Sequence, residues 1–410
     1  MHAYVRSRLV PLANSRFRLL FFATLGSGIG NWLALIALQV DVYDRTHSGW
    51  WVAALLVASI LPAIFIGLMF GPFVDRLSRK GLMIASDLGR LGVFAALPFV
   101  TSATAIVALA VVAGVGNAFF RPAVLAGLPN LVRDQELAES NALLQVVDWV
   151  TTAAGPLAGG AIVAASGPDL AYWVNAVTFA ISAALVARIP GRLLQSERAI
   201  GRGHWRDLRE GLELIRDSRT LTTVLVAWST VLAAGGAVNV GEIFLAKETF
   251  DAGDLGFGLL WTGTGIGFVV GGLVASGWIA ARGVAHVYTL ALCVFGVGVL
   301  AAGISPTIWI AVAAMVVSGI GNGVAVIANV VLVQRGAPDR IRGRAFTVLM
   351  SLTYAAMGVG LIVSGPLANS VGARWMYVGA AVVIGCASLT ATLLLRGRIA
   401  EERRAIAETA

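Results

Sequence analysis

The sequence predicts an all-α polytopic membrane protein, twelve transmembrane helices in two pseudo-symmetric six-helix bundles. Three observations carry that expectation. Hydrophobic residues make up 58% of the 410 and charged ones only 13%, against roughly 45–50% and 25% in soluble domains. The apolar residues fall in runs long enough to cross a bilayer core, which takes about 20 residues in a helix. The runs also divide six and six around one polar stretch, Pro190 to Arg219. A mean hydropathy of +0.84 excludes a soluble globular enzyme and a disordered chain.

In chain order the spans are expected at 17–43, 50–70, 82–100, 104–128, 139–166 and 171–188, bounded by charged and turn residues. A second set is expected at 220–247, 256–281, 285–303, 307–333, 345–368 and 374–395. The first run follows Arg6, Arg8, Arg16 and Arg18. It is longer than a signal-peptide core and lacks a small-residue cleavage site, so it reads as a retained span. The expected domains are bundles over 1–188 and 220–410, joined by a cytoplasmic linker over 189–219. In the linker Trp205, Leu208, Leu212 and Ile215 recur at helical spacing between charged residues. Such a helix lies on the inner membrane surface or acts as a tether that lets two bundles move.

Basic residues set the orientation, because loops rich in Lys and Arg stay cytoplasmic. With the N-terminus inside, 25 of the 30 fall on the inner side, and only Arg45, Lys247 and Arg374 fall outside. Arg90 and Arg121 lie within spans. The +8 net charge is therefore a topology signal and not a nucleic-acid one. Both termini are expected in the cytoplasm of a bacterial cell, at its plasma membrane. Tyr43, Trp50, Trp51, Tyr172, Trp173, Trp309 and Trp375 fall near the outer ends, where aromatic rings anchor at headgroups. Cys293 and Cys386 read as small core residues, and the four histidines show no ligand spacing, so no metal and no cofactor is expected.

The halves share short matches. Gly114-Val115-Gly116-Asn117 in span four matches Gly319-Ile320-Gly321-Asn322 in span ten. Gly155-Pro156-Leu157-Ala158 in span five matches Gly365-Pro366-Leu367-Ala368 in span eleven, and Trp173 aligns with Trp375. The offsets are 205, 210 and 202, as expected of duplicated halves with small insertions and a substrate path between them.

Between spans two and three the chain reads Gly71-Pro72-Phe73-Val74-Asp75-Arg76-Leu77-Ser78-Arg79-Lys80. A Gly, then Asp-Arg, then a basic pair resembles the signature loop of the major facilitator superfamily, with Ser78 where that family has Gly. The resemblance implies that Asp75 latches a cytoplasmic gate by facing a helix N-terminus of the other half, where the helix dipole favours an acid. Arg76 and Arg79 then belong to the surrounding charge network. Topology alone accounts for Arg76, Arg79 and Lys80 but not for Asp75. In the second half Ala281 stands where the first has Asp75, and no gate role is expected there. Asp87 and Arg90, one helical turn apart in span three, can pair or snorkel to the inner surface, in support of the Asp75 loop.

Span five carries Gly155, Pro156, Gly159 and Gly160, similar to the Gly-Pro-x-x-Gly-Gly signature of the exporting, proton-antiporting branches of that superfamily. Close glycines let helices touch, and Pro frees a carbonyl and bends the helix, so these residues are expected to act as a conformational switch, a kinked helix at the interface of two bundles biasing which side opens. Ordinary tight packing is the other reading. Phe119-Phe120-Arg121-Pro122-Ala123, Leu128-Pro129-Asn130-Leu131-Val132, Asn141-Ala142-Leu143 and Arg342-Gly343-Arg344 look like the macrolide-efflux and enterobactin (siderophore) exporter branch, and the likeness covers essentially the whole chain. Members of it often carry an acid before the Trp of span one, where this chain has Asn31-Trp32.

Ionisable groups inside spans cost roughly 2.5–3.5 kcal/mol even on lenient scales and mark a pathway or a pair. Arg121 and Asp148 lie 13 residues before and 14 after Asp134 in the short loop between spans four and five. In antiparallel helices that places them at nearly equal depth, on the order of 10 Å inside the cytoplasmic boundary at 1.5 Å per residue. They are expected to pair, either as a proton switch in which protonated Asp148 releases Arg121 or a cationic substrate, or as a structural ion pair. Asp41 and Glu242 lie toward the outer ends of spans one and seven, to receive a proton, to attract a cation, or merely to touch water. Asn31 and Asn239, at an offset of 208, are mid-membrane polar groups for substrate or for helix-to-helix hydrogen bonds.

Gly26-Ser27-Gly28-Ile29-Gly30 and Gly263-Thr264-Gly265-Ile266-Gly267 follow no strand, so they are not dinucleotide loops, and no phosphate loop for ATP is present. The expected function is proton-coupled export of amphipathic small molecules by a monomer, with no enzyme activity, ATP or nucleic acid. A siderophore exporter, a membrane scaffold or sensor with a transporter fold, and the membrane subunit of a separately powered pump are the other readings.

Overall fold

In a computed structural model of the chain, residues 10–66, 77–194, 204–338 and 342–409 are described. The described residues form helices joined by short turns, with no strand among them. The first set of long helices is α1 (Ser15–Thr46), α2 (Gly49–Phe65), α3 (Arg79–Ala96), α4 (Ala103–Gly127), α5 (Leu137–Ser166) and α6 (Pro168–Ala187). The second is α7 (Arg219–Phe244), α8 (Gly253–Arg282), α9 (Val284–Ile304), α10 (Ile308–Gly336), α11 (Arg342–Val371) and α12 (Ala373–Thr409). Eleven are long and apolar enough to cross a membrane, and α2 is a shorter apolar helix that runs on toward residues outside the described set.

Local chemistry starts these helices where the hydropathy says they should start. Ser78, Ser102, Ser218 and Thr307 accept hydrogen bonds from the first-turn N–H groups of α3, α4, α7 and α10, satisfying donors that no helix can satisfy itself. The end of α12 differs from expectation: it passes residue 395 and continues to Thr409, because its polar tail is rich in Ala, Glu and Arg, all strong helix formers. Past Phe244, α7 changes to a π-helical turn at Leu245–Thr249.

The chain divides into two compact units, Met1–His47 with Leu55–Ile200, and Ser48–Ala54 with Gly201–Ala410. The linker helix, His204–Asp217, belongs to the second unit and packs against α11 and α7, so it is docked on one bundle. Each unit repeats one packing scheme. In the first, α1 lies against α5 and α6, and α3 against α4 and α6; in the second, α7 lies against α11 and α12, and α9 against α10 and α12.

The common register is 205 residues. Helices α5 and α11 are both 30 residues long and displaced by 205 at each end. Each is followed by a one-residue turn, Gly167 or Gly372, at φ 76° or 77°, a left-handed conformation that favours glycine. This register corrects two of the matches. The counterpart of Pro156 is Leu361, and Pro366 lies five residues nearer its turn; a continuous helix leaves no room for an insertion. The counterpart of Trp173 is Val378, with Trp375 one helical turn earlier.

Other placements also changed. Tyr43 and Tyr172 are buried while Trp50, Trp173, Trp309 and Trp375 are exposed, because a buried tyrosine can find a polar partner for its hydroxyl. Cys293 and Cys386 are free and on the exposed face, where lipid accepts a small apolar side chain as readily as a core does.

Glycines set the helix spacing. A Cβ on Gly114 of α4 would stand 2.9 Å from the Ser59 carbonyl of α2, and one on Gly116 would stand 3.1 Å from the Ser86 carbonyl of α3. In the second unit a Cβ on Gly319 of α10 would stand 2.9 Å from Gly267 Cα of α8, and one on Gly321 would stand 2.7 Å from the Ala291 carbonyl of α9. Backbone cannot yield as a flexible side chain can, so Gly321→Ala is expected to destabilise by roughly 1–3 kcal/mol, the usual cost of overpacking. Gly89→Ala, with nothing within 4 Å of the new Cβ, is expected to leave the melting temperature of the detergent-purified protein unchanged. Equal melting of both variants and the parent chain would refute this account of the spacing.

Candidate functional site

Among the described residues of the first unit, Arg121 and Asp148 form an ion pair inside spans with both side chains partly exposed. Arg121, just before Pro122 in α4, donates from Nη1 and Nη2 to the two carboxylate oxygens of Asp148 in α5. The Arg121 side chain is 42% exposed and that of Asp148 28%. The antiparallel run of α4 and α5 through a short loop is what brings them together. Thr151, one turn beyond Asp148, donates to the Asp148 carbonyl and meets α1 at Gly28.

From Thr151 onward α5 lies along α1 through small residues. A Cβ on Gly155 would collide with Trp32, and one on Gly159 would stand 3.0 Å from the Leu33 carbonyl. Gly155, Pro156, Gly159 and Gly160 are all buried. Pro156 has no N–H, so the Thr152 carbonyl loses its usual partner in the helix.

Asp87 and Arg90 form a second pair of opposite character. Arg90 Nη2 donates to Asp87 Oδ1 at 2.6 Å and Ser182 of α6 donates to Oδ2 at 2.7 Å. The guanidinium carbon stands 4.8 Å from the Phe120 ring centre and 4.2 Å from that of Phe179, within cation–π range. Both side chains are at most 1% exposed, so Arg90 does not snorkel: its stem is enclosed by α4 at Gly116. The pair joins α3 to α6 and α4. Arg79 donates to the carbonyls of Ala126 at 2.8 Å and Leu194 at 3.1 Å, tying the start of α3 to the end of α4 and to the short 3-10 turn after α6. Asp75 and Arg76 lie outside the described residues.

Asp41 is not a water-contacting residue at a mouth. It is 4% exposed, accepts from Arg45 Nε at 2.6 Å and from the Tyr172 hydroxyl of α6 at 2.9 Å. Arg45 also reaches the Thr101 carbonyl at 3.2 Å. A buried carboxylate at this depth is held by two donors because an unpaired charge there is costly.

The second unit leaves its acid without such donors. Glu242 of α7 is 2% exposed and its Oε1 has no hydrogen-bond partner among the described residues. Tyr377 of α12 packs beside the neighbouring Gly241, and its buried hydroxyl is also unpartnered among the described residues. The π-helical turn begins three residues after Glu242; such turns concentrate at functional sites. Asn31 in the first unit and Asn239 in the second are half-buried and make no hydrogen bond among the described residues, so neither serves as a helix-to-helix tie.

Residues 6–408 match the family model MFS_3, transmembrane secretion effector. The chain belongs to this family. It is a multi-pass membrane transporter of the major facilitator type. It is similar to the multidrug efflux pump Tap of Mycolicibacterium fortuitum, 28% identical over 403 residues, covering 93% of this chain and 96% of that one. It is also similar to the putative bacilysin exporter BacE of Bacillus amyloliquefaciens, 25% identical over 363 residues, covering 88% and 89%. Among solved structures it resembles the nucleoside transporter NupG, with TM-score 0.73 at 15% identity over 93% of this chain and 99% of that one. A bacterial homologue of the iron transporter ferroportin gives TM-score 0.72 at 14% identity over 94% and 98%. The structural likenesses show the fold.

Sequence reading passed over Ser182, Tyr377 and Asn329, and placed Tyr172 only as an aromatic anchor at the outer end. Tyr172 and Tyr377 share the 205-residue register of Gly114 and Gly319, a signal that could have marked them. Asn329, 3% exposed with both side-chain polar atoms unpartnered, has no such mark in the sequence. Removing one partner of a buried ion pair leaves an uncompensated charge at a cost of about 3–5 kcal/mol. Asp87→Ala is therefore expected to abolish the monodisperse folded peak in size-exclusion chromatography, and Asp87→Leu combined with Arg90→Met to restore it. A normal peak for Asp87→Ala alone would show that the pair carries no such constraint.

Proposed function

We propose that the protein is a proton-driven exporter of moderately large amphipathic compounds, working by alternating access with both termini in the cytoplasm. The observation that carries this reading is the Arg121–Asp148 pair: opposite charges inside membrane spans, yet 42% and 28% exposed, and charges not enclosed by protein inside a span belong on a water-filled path. Protonation of Asp148 removes the partner of Arg121, which changes the charge offered to a substrate. Glu242 is a second carboxyl for the proton. Its Oε1 has no partner among the described residues, and an uncharged acid is the form that an apolar setting accommodates at least cost. Asn31 and Asn239 keep their polar groups available for substrate. The named activities of the Tap and BacE relatives, multidrug efflux and bacilysin export, support export of bioactive small molecules.

In this mechanism Asp75, Arg76 and Arg79 form the cytoplasmic gate. The seam at Gly155, Pro156, Gly159 and Gly160 lets α5 slide on α1, since small residues offer no side chain to interlock. The Asp87–Arg90 pair keeps α3, α4 and α6 together while the gate moves.

The test uses proteoliposomes containing only this protein, an imposed proton gradient and a fluorescent cationic dye. Efflux is expected with the gradient and none after a protonophore. Asp148→Asn and Glu242→Gln are each expected to slow gradient-driven efflux at least about tenfold, equivalent to 1.4 kcal/mol of barrier, with the folded peak intact. Full-rate efflux by Asp148→Asn would sink its role in coupling. No transport by the unmodified protein would favour a scaffold, a sensor or a pump subunit with a separate ATPase.

A further inference from the structure

We infer that the second unit carries a binding site for an anionic phospholipid at the end where α7 and α9 begin and α8, α10 and α12 leave the membrane. The inference rests on the membrane fold alone and does not depend on what the protein transports. A cavity of about 620 Å³ is lined there by Arg219, Arg335 and Arg398, with Thr220, Glu401 and Glu402. The three arginines come from the start of α7, the end of α10 and the end of α12, so the fold gathers cations that the sequence scatters.

The charges of this pocket are not all alike. Arg398 is held internally: its Nη1 donates to Thr220 Oγ1 at 3.1 Å and its Nε stands 3.5 Å from Glu402 Oε1. Glu402 is occupied as well, because its Oε2 accepts the Ala285 N–H at 3.0 Å, in the first turn of α9, where the helix dipole favours an acid. Arg219 and Arg335 are exposed, and their side chains make no hydrogen bond or ion pair among the described residues. Glu401 is the one further acid of the lining, and the pocket keeps a net positive charge. Two uncommitted guanidinium groups at a membrane surface match a phosphodiester, which accepts forked N–H pairs.

A second cavity points to a lipid over a soluble phosphate. About 470 Å³ in volume, it is bordered by Ile279 and Ala280 of α8 and Ile327 and Val331 of α10, and shares Arg335 and Glu402 with the first. A cationic pocket opening onto an apolar groove has the head-and-tail form of a phospholipid. Basic pockets between transmembrane helices on the cytoplasmic side bind such headgroups.

The experiment titrates the full-length purified protein with phosphatidylglycerol, with phosphatidylcholine of the same chains, and with inorganic phosphate, reading bound lipid by native mass spectrometry. Phosphatidylglycerol is expected to bind at least about tenfold more tightly than phosphatidylcholine. The double variant Arg219→Ala, Arg335→Ala is expected to lose that preference, Arg209→Ala on the linker helix to retain it, and Val331→Trp to weaken phosphatidylglycerol by filling the groove. The melting temperature of the unmodified protein needs no variant: phosphatidylglycerol should raise it and phosphatidylcholine should not. The inference is overturned by equal binding of the two lipids or by an unchanged preference in the double variant. It is equally overturned if millimolar phosphate displaces the lipid completely while Val331→Trp has no effect, which would make this a phosphate site without a lipid.

Discussion

Backbone must touch backbone in this fold, and glycine is what allows it. Lipid offers helices no hydrophobic reward for meeting, so they associate through close van der Waals contact. In each unit the fourth helix supplies that contact twice, with Gly114 and Gly116 in α4 and Gly319 and Gly321 in α10 turned to the two neighbours. The space so opened is then filled differently. Gly116 faces the stem of Arg90, and Gly321, 205 residues later, faces the backbone of Phe295, the residue in the register of Arg90. One gap admits a caged cation in the first unit and an apolar helix in the second.

That difference extends through both bundles. In the first unit the acids of the spans have donors, Asp41 from Arg45 and Tyr172, Asp87 from Arg90 and Ser182, Asp148 from Arg121, although Arg90 Nη1 and Asn175 Nδ2 stay unpartnered among the described residues. The second leaves Glu242, Tyr377 and Asn329 with polar atoms that no described residue engages. Tyr172 and Tyr377 occupy the same place in the repeat, yet one hydroxyl is bonded and the other is not. Duplicated architecture here carries unequal electrostatics at matching places: the acid beside Tyr172 is bonded, and the one in the helix beside Tyr377 has an oxygen that no described residue engages.

The spans were legible because hydropathy over about 20 residues is a strong signal, and their ends because Ser, Thr and Gly have specific backbone roles. The Arg121–Asp148 contact was legible for a geometric reason: equal distances from a short loop force equal depth in antiparallel helices. Burial was harder to read. Arg45, four residues after Asp41, is a donor the sequence could have marked, but the second donor, Tyr172, lies 131 residues away, and no local pattern says that Glu242 has an oxygen without a donor. The Gly-Pro match misled because identical letters in two helices do not share a position unless the helix ends agree as well.

Gly167 and Gly372 bear on how this architecture can change. A one-residue turn has little slack, and an inserted residue taken up by the following helix would rotate its later faces by about 100°, at 3.6 residues per turn. Every face of α6 or α12 would then meet the wrong neighbour. Lengthening of the chain by insertion is therefore confined to the longer connections, and the 205-residue spacing is preserved across these hairpins while side chains diverge around it. The turns act as fixed fiducials, and residues in the two halves are best compared by counting from them.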